Sequence, residues 1–149
     1  MKIIETRQLG KVEYLEENII TFNSGLPGFE DEKQFIVCQN DSDSPFAYLQ
    51  SVNNLDLTFI LANPFNFFSD YLFDLDDNVK EELQINKIED VATWGILSIT
   101  DDVKNASINL KAPLIINVNI KKGKQYIIHE VNYLTATPLF PQPIREGGI

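Results

Sequence analysis

The residues of this chain best suited to acid–base chemistry are its carboxylates, which come in tight groups: Glu30-Asp31-Glu32, Asp76-Asp77, Glu81-Glu82, Glu89-Asp90 and Asp101-Asp102. Two carboxylates catalyse as a pair only where their surroundings drive their pKa values apart. Adjacent acids in polar runs share the same water, so these groups read as a solvated face. Nucleophilic catalysis needs a positioned base. The single histidine, His129, follows Ile127 and Ile128 in an expected strand, and the single cysteine, Cys38, ends the apolar run Phe35-Ile36-Val37-Cys38, where a buried structural thiol is expected. One His and one Cys are too few ligands for a zinc site. The acidic run Asp74-Leu75-Asp76-Asp77 lacks the glycine and the glutamate that a calcium loop carries at its sixth and twelfth positions. Gly25 and Gly28 are not followed by the Lys-Ser/Thr pair of a phosphate loop. No metal, no cofactor and no enzymatic activity are expected.

Binding is the better class. Residues 1–102 carry 20 of the 22 acidic side chains and 6 of the 12 basic ones, a net of −14, whereas residues 103–149 hold 6 basic against 2 acidic, a net of +4. A surface so negative repels nucleic acid and attracts basic proteins. Between Asp41 and Asp77 there are seven Asp and no Lys or Arg. Within that stretch, Asn63-Pro64-Phe65-Asn66-Phe67-Phe68-Ser69-Asp70-Tyr71-Leu72-Phe73-Asp74 joins five aromatics to two carboxylates on a proline-initiated loop leading into a strand. Phe65 and Phe68 are expected as core. Phe67 is the candidate apolar anchor, and Asp70, Asp74, Asp76 and Asp77 are the candidate steering charges for a basic partner. Two other classes stay open: a single-stranded nucleic-acid-binding barrel, which would need a basic groove, and a hydrolase with an acidic site.

These residues must be positioned by strands. Ile108, Leu110, Ala112, Leu114, Ile116, Val118 and Ile120 fall on even positions among mostly polar odd ones, which predicts one long strand over Ser107–Lys121, with Pro113 marking an edge, a bulge or a bend from one sheet to another. Lys121-Lys122-Gly123-Lys124 then reads as a tight turn into a strand over Gln125–Val131. Shorter strands are expected at Lys2–Thr6, Ile19–Phe22, Gln34–Cys38, Phe46–Ser51, Leu57–Leu61 and Ile96–Thr100, and a structural turn at Gly25-Leu26-Pro27-Gly28 with Gly28 at positive φ. Asn78 with Glu81 fits a capping box for one short helix near 78–85. The sum is an all-β, mostly antiparallel, barrel-like single domain spanning 1–149, 44% apolar, with a loosely packed tail from about Pro138. No apolar run approaches the roughly 20 residues of a membrane span, and Met1-Lys2-Ile3-Ile4-Glu5-Thr6 lacks the order of a signal peptide. A cytosolic protein without a membrane partner is expected.

Three segments carry a family resemblance: Gly25-Leu26-Pro27-Gly28-Phe29-Glu30, Asn63-Pro64-Phe65-Asn66-Phe67-Phe68-Ser69-Asp70-Tyr71 and Asn109-Leu110-Lys111-Ala112-Pro113-Leu114-Ile115-Ile116-Asn117. In this order, in an acidic β protein of this length, the chain resembles the bacterial flagellar assembly factor FliW nearly from end to end. Asn132-Tyr133-Leu134-Thr135 fits the family's pattern near the end, but Ala136-Thr137 stands where a basic pair is expected. The resemblance implies a β-barrel-like cytoplasmic protein, monomeric when free, that binds flagellin and, once flagellin is exported, binds CsrA, a dimeric RNA-binding regulator that represses flagellin translation. The acidic half-chain adds a physical reason: it attracts a basic regulator and sets negative charge near the path of the RNA phosphates.

Overall fold

The computed structural model describes residues 1–140. Strands β1 (Lys2–Thr6) and β2 (Gly10–Tyr14) form an antiparallel hairpin of their own, pairing Ile4 with Val12 and Thr6 with Gly10. The other strands are β3 (Ile20–Thr21), β4 (Gln34–Cys38), β5 (Phe46–Ser51), β6 (Thr58–Ala62), β7 (Val91–Ser98), β8 (Ser107–Ile108), β9 (Leu114–Asn117), β10 (Lys122–Gln125) and β11 (Thr137–Pro138). Seven of them close a barrel in the order β7-β6-β5-β4-β3-β10-β9, with β9 returning to β7. Neighbours are antiparallel except β3 and β10. β8 and β11 extend outward from the end of β7. One α-helix, α1 (Asp77–Glu82), is present among the described residues.

The barrel is filled by Phe22, Phe35, Leu49, Leu61, Leu114 and Ile116. Phe22 and Phe35 meet edge to face at 5.6 Å. A second apolar cluster lies on the other side of β9, where Ile115 packs with Tyr71, Val79, Leu83, Leu97, Ile108, Leu110 and Ile128. β9 is therefore buried on both faces, and all four of its residues are buried. A strand covered on both faces reads as an unbroken apolar run.

That double burial overturns the single long strand expected over Ser107–Lys121. β8 ends at Ile108, and the chain turns before β9 with the Asn109 carboxamide oxygen accepting from Ala112 N–H at 3.0 Å. Asn117 is buried rather than solvent-facing: its Nδ2 donates to Leu83 O at 2.8 Å and its Oδ1 accepts from Asn119 N–H at 3.0 Å. The turn thus falls at 118–121, with Lys121 at φ 57, and exposes Val118 and Ile120. The expected turn residues Lys122-Gly123-Lys124 are strand β10, where a Cβ on Gly123 would sit 2.7 Å from the Phe22 ring. Beyond Gln125 the chain leaves the ladder but stays pinned, with Tyr126 N–H on Pro113 O (2.9 Å) and Ile128 N–H on Lys111 O (2.8 Å). Tyr126 and Ile128 are buried while Ile127 and His129 are exposed.

Other expectations stand with shifts. Lys2–Thr6, Gln34–Cys38 and Phe46–Ser51 are strands as expected, and Gly25 and Gly28 take positive φ. β7 begins five residues earlier than expected, at Val91, and β2 was not expected. The helix starts at Asp77 with Asp76 as its N-cap residue, so Asn78 caps nothing. Cys38 is half-buried, and burial pushes its thiol pKa up. The tail is held further than expected: Thr137–Pro138 pairs with β8 and Leu139 is buried. Pro141, Pro143, Gly147 and Gly148 lie outside the described residues.

Candidate functional site: an apolar groove beside the helix

The segment from Asn63 to Leu75 and the segment from α1 to Ile88 face each other across an open groove of about 540 Å³. The first wall begins where Pro64, with φ preset for a tight turn, opens a 3-10 turn over Pro64–Asn66. The Asn63 side chain accepts from Phe65 N–H at 3.0 Å, and Phe68 N–H reaches back to Pro64 O at 2.8 Å. This segment was expected to lead into a strand. It runs instead as an irregular layer over the second core, because three tyrosine hydroxyls replace a ladder. Tyr71 donates to Leu110 O at 2.6 Å, Tyr126 donates to Asp74 O at 3.1 Å, and the Tyr133 hydroxyl meets both the N–H and the carbonyl of Leu72 at 3.0 Å. Burial, and the neighbouring Tyr133, push the Tyr71 pKa up; burial, then Asp76, raises that of Tyr126. Both remain neutral donors at physiological pH.

The second wall is set by α1, which buries Val79 and Leu83 against the second core. Asp77 sits in its first turn, where a carboxylate meets the positive end of the helix dipole. Lys124 ties the helix down through an ion pair with Glu82 at 3.1 Å. Gln84, at φ 52, ends the helix, and Asn117 holds the exit through Leu83 O and Gln84 O.

The floor is Val91, Thr93 and Ile115; Phe73, Leu75 and Ile85 flank it. The mouth carries large apolar residues open to water: Phe65 is 47% exposed, Leu72 75% and Ile88 85%. Asp74 lines the first wall, whereas Lys80 and Lys87 line the second.

The structure thus redistributes the expected binding residues. Phe67, expected as the apolar anchor, is half-buried, with its ring 5.5 Å from that of Phe46 and 6.0 Å from that of Phe140. Phe68 packs on the core as expected, but Phe65, also expected there, is exposed at the groove mouth. Asp70, Asp74, Asp76 and Asp77 are all exposed, and Asp74 is the one carboxylate lining the groove among the described residues. Leu72, Lys80, Lys87 and Ile88 were missed. Leu72 alternates between Tyr71 and Phe73, a weak signal; Ile88 lies alone among polar residues and gives none.

The groove joins apolar side chains to a few charges of both signs, a lining suited to recognition. Fold and groove together define a small, closed, mixed β-barrel with an open apolar surface groove. The sequence profile described as "FliW protein" matches residues 2–139. The chain belongs to the FliW family. It is 46% identical over 131 residues to the flagellar assembly factor FliW of Caldicellulosiruptor saccharolyticus, covering 88% of this chain and 86% of that one. The corresponding Bacillus subtilis protein is 42% identical over 137 residues, covering 92% and 96%. A crystal structure of the flagellar assembly factor FliW superposes with a TM-score of 0.89 at 43% identity, covering 96% of this chain and all of that one.

Proposed function

We propose that this protein is a cytoplasmic flagellar assembly factor that works by exchanging partners: it binds flagellin and, when flagellin leaves, binds the RNA-binding regulator CsrA and relieves repression of flagellin synthesis. It acts by binding and catalyses nothing. The observation that carries the reading is the groove mouth, where Phe65, Leu72 and Ile88 hold a large apolar surface open to water beside exposed carboxylates. Such a patch on a soluble chain is a binding surface or a liability. The relatives' naming as flagellar assembly factors favours the first. In this reading Asp70, Asp74, Asp76 and Asp77 steer a basic partner, Phe65, Leu72 and Ile88 anchor it, and Phe67 holds the Phe65 turn from the core side. Calorimetric titration of the purified chain with flagellin and, separately, with CsrA tests it. Saturable binding to both, with each displacing or excluding the other, is expected; binding to neither, or binding to an RNA oligonucleotide instead, overturns it.

A further inference from the structure

A second cleft, about 640 Å³, lies between the β1–β2 hairpin and the barrel. Its walls include four successive residues of β2, Lys11 to Tyr14, and the run Ile36 to Asn40 at the end of β4, with Asn18, the Gln8–Leu9 turn and Tyr48 of β5 completing the lining. Successive residues of a strand point to opposite faces, so a cleft that touches all of them runs along the strand edges.

Where they line the cleft, both strands have an edge that no other strand pairs among the described residues. β2 pairs with β1 and with no other strand among the described residues. In β4, Gln34 O accepts from Val52 N–H at 3.0 Å, so its even residues turn their backbone groups to β5. Phe22 N–H donates to Lys33 O at 2.7 Å and Ile20 pairs with Phe35, so the odd residues turn theirs toward β3. Continuing that register sets Val37 opposite Asn18, but Asn18 closes a 3-10 turn and donates its own N–H to Leu15 O at 2.9 Å. The N–H and carbonyl of Val37 therefore point toward the cleft, with no strand among the described residues to meet them. Backbone groups left this way are templates for another strand.

From this we infer that the cleft is a docking slot for one extended peptide strand of a partner protein, inserted between β2 and β4 and hydrogen-bonded to both. Its width for that role is two strand spacings, about 10 Å. Lys11 and Glu13 are both exposed on one face of β2, with Val12 and Tyr14 half-buried on the other. The complementary strand has an acid and a base two residues apart, opposite Lys11 and Glu13, and apolar residues between and beside them. The slot shares no lining residue with the groove, so it is a second contact site and rests on the proposed function only for the identity of its partners.

Hydrogen exchange of the full chain, free and saturated with flagellin or with CsrA, tests the slot, with complex formation checked by calorimetry. Val37 is expected to exchange freely in the free chain and about tenfold or more slowly in one complex, together with amides of β2. Val37→Pro removes the outward N–H; because Val37 also packs on the barrel core a lowered melting temperature is expected, and the variant, shown to be folded at the assay temperature, is expected to weaken that complex about tenfold or more. Protection of Val37 in the free chain, complexes that leave its exchange unchanged, or a folded V37P that binds as tightly as the parent overturns the slot. Should V37P fail to fold, the exchange rates of the parent decide. Should neither protein bind, the proposed function fails; the slot is then probed by NMR with a capped seven-residue peptide of alternating valines carrying one glutamate and one lysine. Shifts at Val37 and Val12 at millimolar peptide support it, and their absence overturns it.

Discussion

Truncating Leu72 and Ile88 to alanine separates binding from folding. Both side chains are mostly in water, 75% and 85% exposed, so removing them takes little from the folded state. Exposed substitutions away from caps and cores move stability by about 0.5 kcal/mol or less. On binding, the accounts reverse. Full burial of a leucine or isoleucine side chain contributes about 2 kcal/mol, and truncation to alanine of chains this exposed forfeits roughly 1.5 kcal/mol each if a partner covers them. The pair then amounts to about 3 kcal/mol, a loss of about 100-fold in Kd. Calorimetric titration against flagellin and CsrA measures that loss, and a thermal melt confirms the fold. Because the lost contribution is apolar, the ratio of parent to variant Kd should hardly change with salt. A double variant that melts like the parent and binds both partners within threefold of it would refute the groove as the docking surface.

Reversal of Asp76 and Asp77 to lysine should slow association several-fold at low salt and leave dissociation nearly unchanged, with the difference vanishing at high salt; stopped-flow association rates check it. Some loss of helix stability accompanies it, since Asp77 faces the helix dipole. Gly28→Val should lower the melting temperature by roughly 2–8 °C, because φ of +85° costs a β-branched residue about 1–2 kcal/mol. Gly25→Ala should do worse despite its smaller side chain: its Cβ would stand 2.5 Å from Glu30 O. Hydrogen bonds from Asp102 N–H and then Asn105 hold the Asp101 carboxylate below its usual pKa. Its stabilising contribution is therefore present above the unfolded pKa and lost as pH falls through the folded one. Asp101→Ala should then lower the melting temperature modestly at pH 7 and by progressively less as the pH falls below the ordinary aspartate range, as melts across that range show.

Short apolar and aromatic runs bounded by turn-forming clusters were legible as strands. Gln34–Cys38 and Phe46–Ser51 were read to the residue. β9 was misread for a definite reason. Ile115 looked like a break in a polar face and Asn117 like part of that face, yet both are buried, Ile115 among Tyr71, Val79 and Leu83 and Asn117 against the Leu83 carbonyl, residues at least 32 positions away. A face is polar or apolar only with respect to what covers it, and no local window contains the cover. Asn117 makes the point sharply: a carboxamide that reads as solvent-facing is buried because Leu83 and Gln84 present carbonyls to it.

The same non-locality hid the groove. Phe65, Phe67 and Phe68 are alike in composition and adjacent in the chain, but the 3-10 turn at Pro64–Asn66 aims Phe67 and Phe68 at the core and leaves Phe65 outside. Which ring is left in water is decided by the phase of one turn, and the aromatic run alone does not reveal that phase. The charge pattern is likewise incomplete when read along the chain. Lys and Arg are absent from 41–77, yet Lys80 and Lys87, just past that stretch, line the wall opposite Asp74. A partner seated in this groove meets one acid and two bases across its apolar floor, while the remaining carboxylates lie outside the lining. Long-range attraction and local fit thus make different demands: net negative charge suits a basic protein at a distance, and the lining favours a segment with acids of its own facing Lys80 and Lys87. A basic peptide without such acids should be drawn to the surface quickly and held weakly.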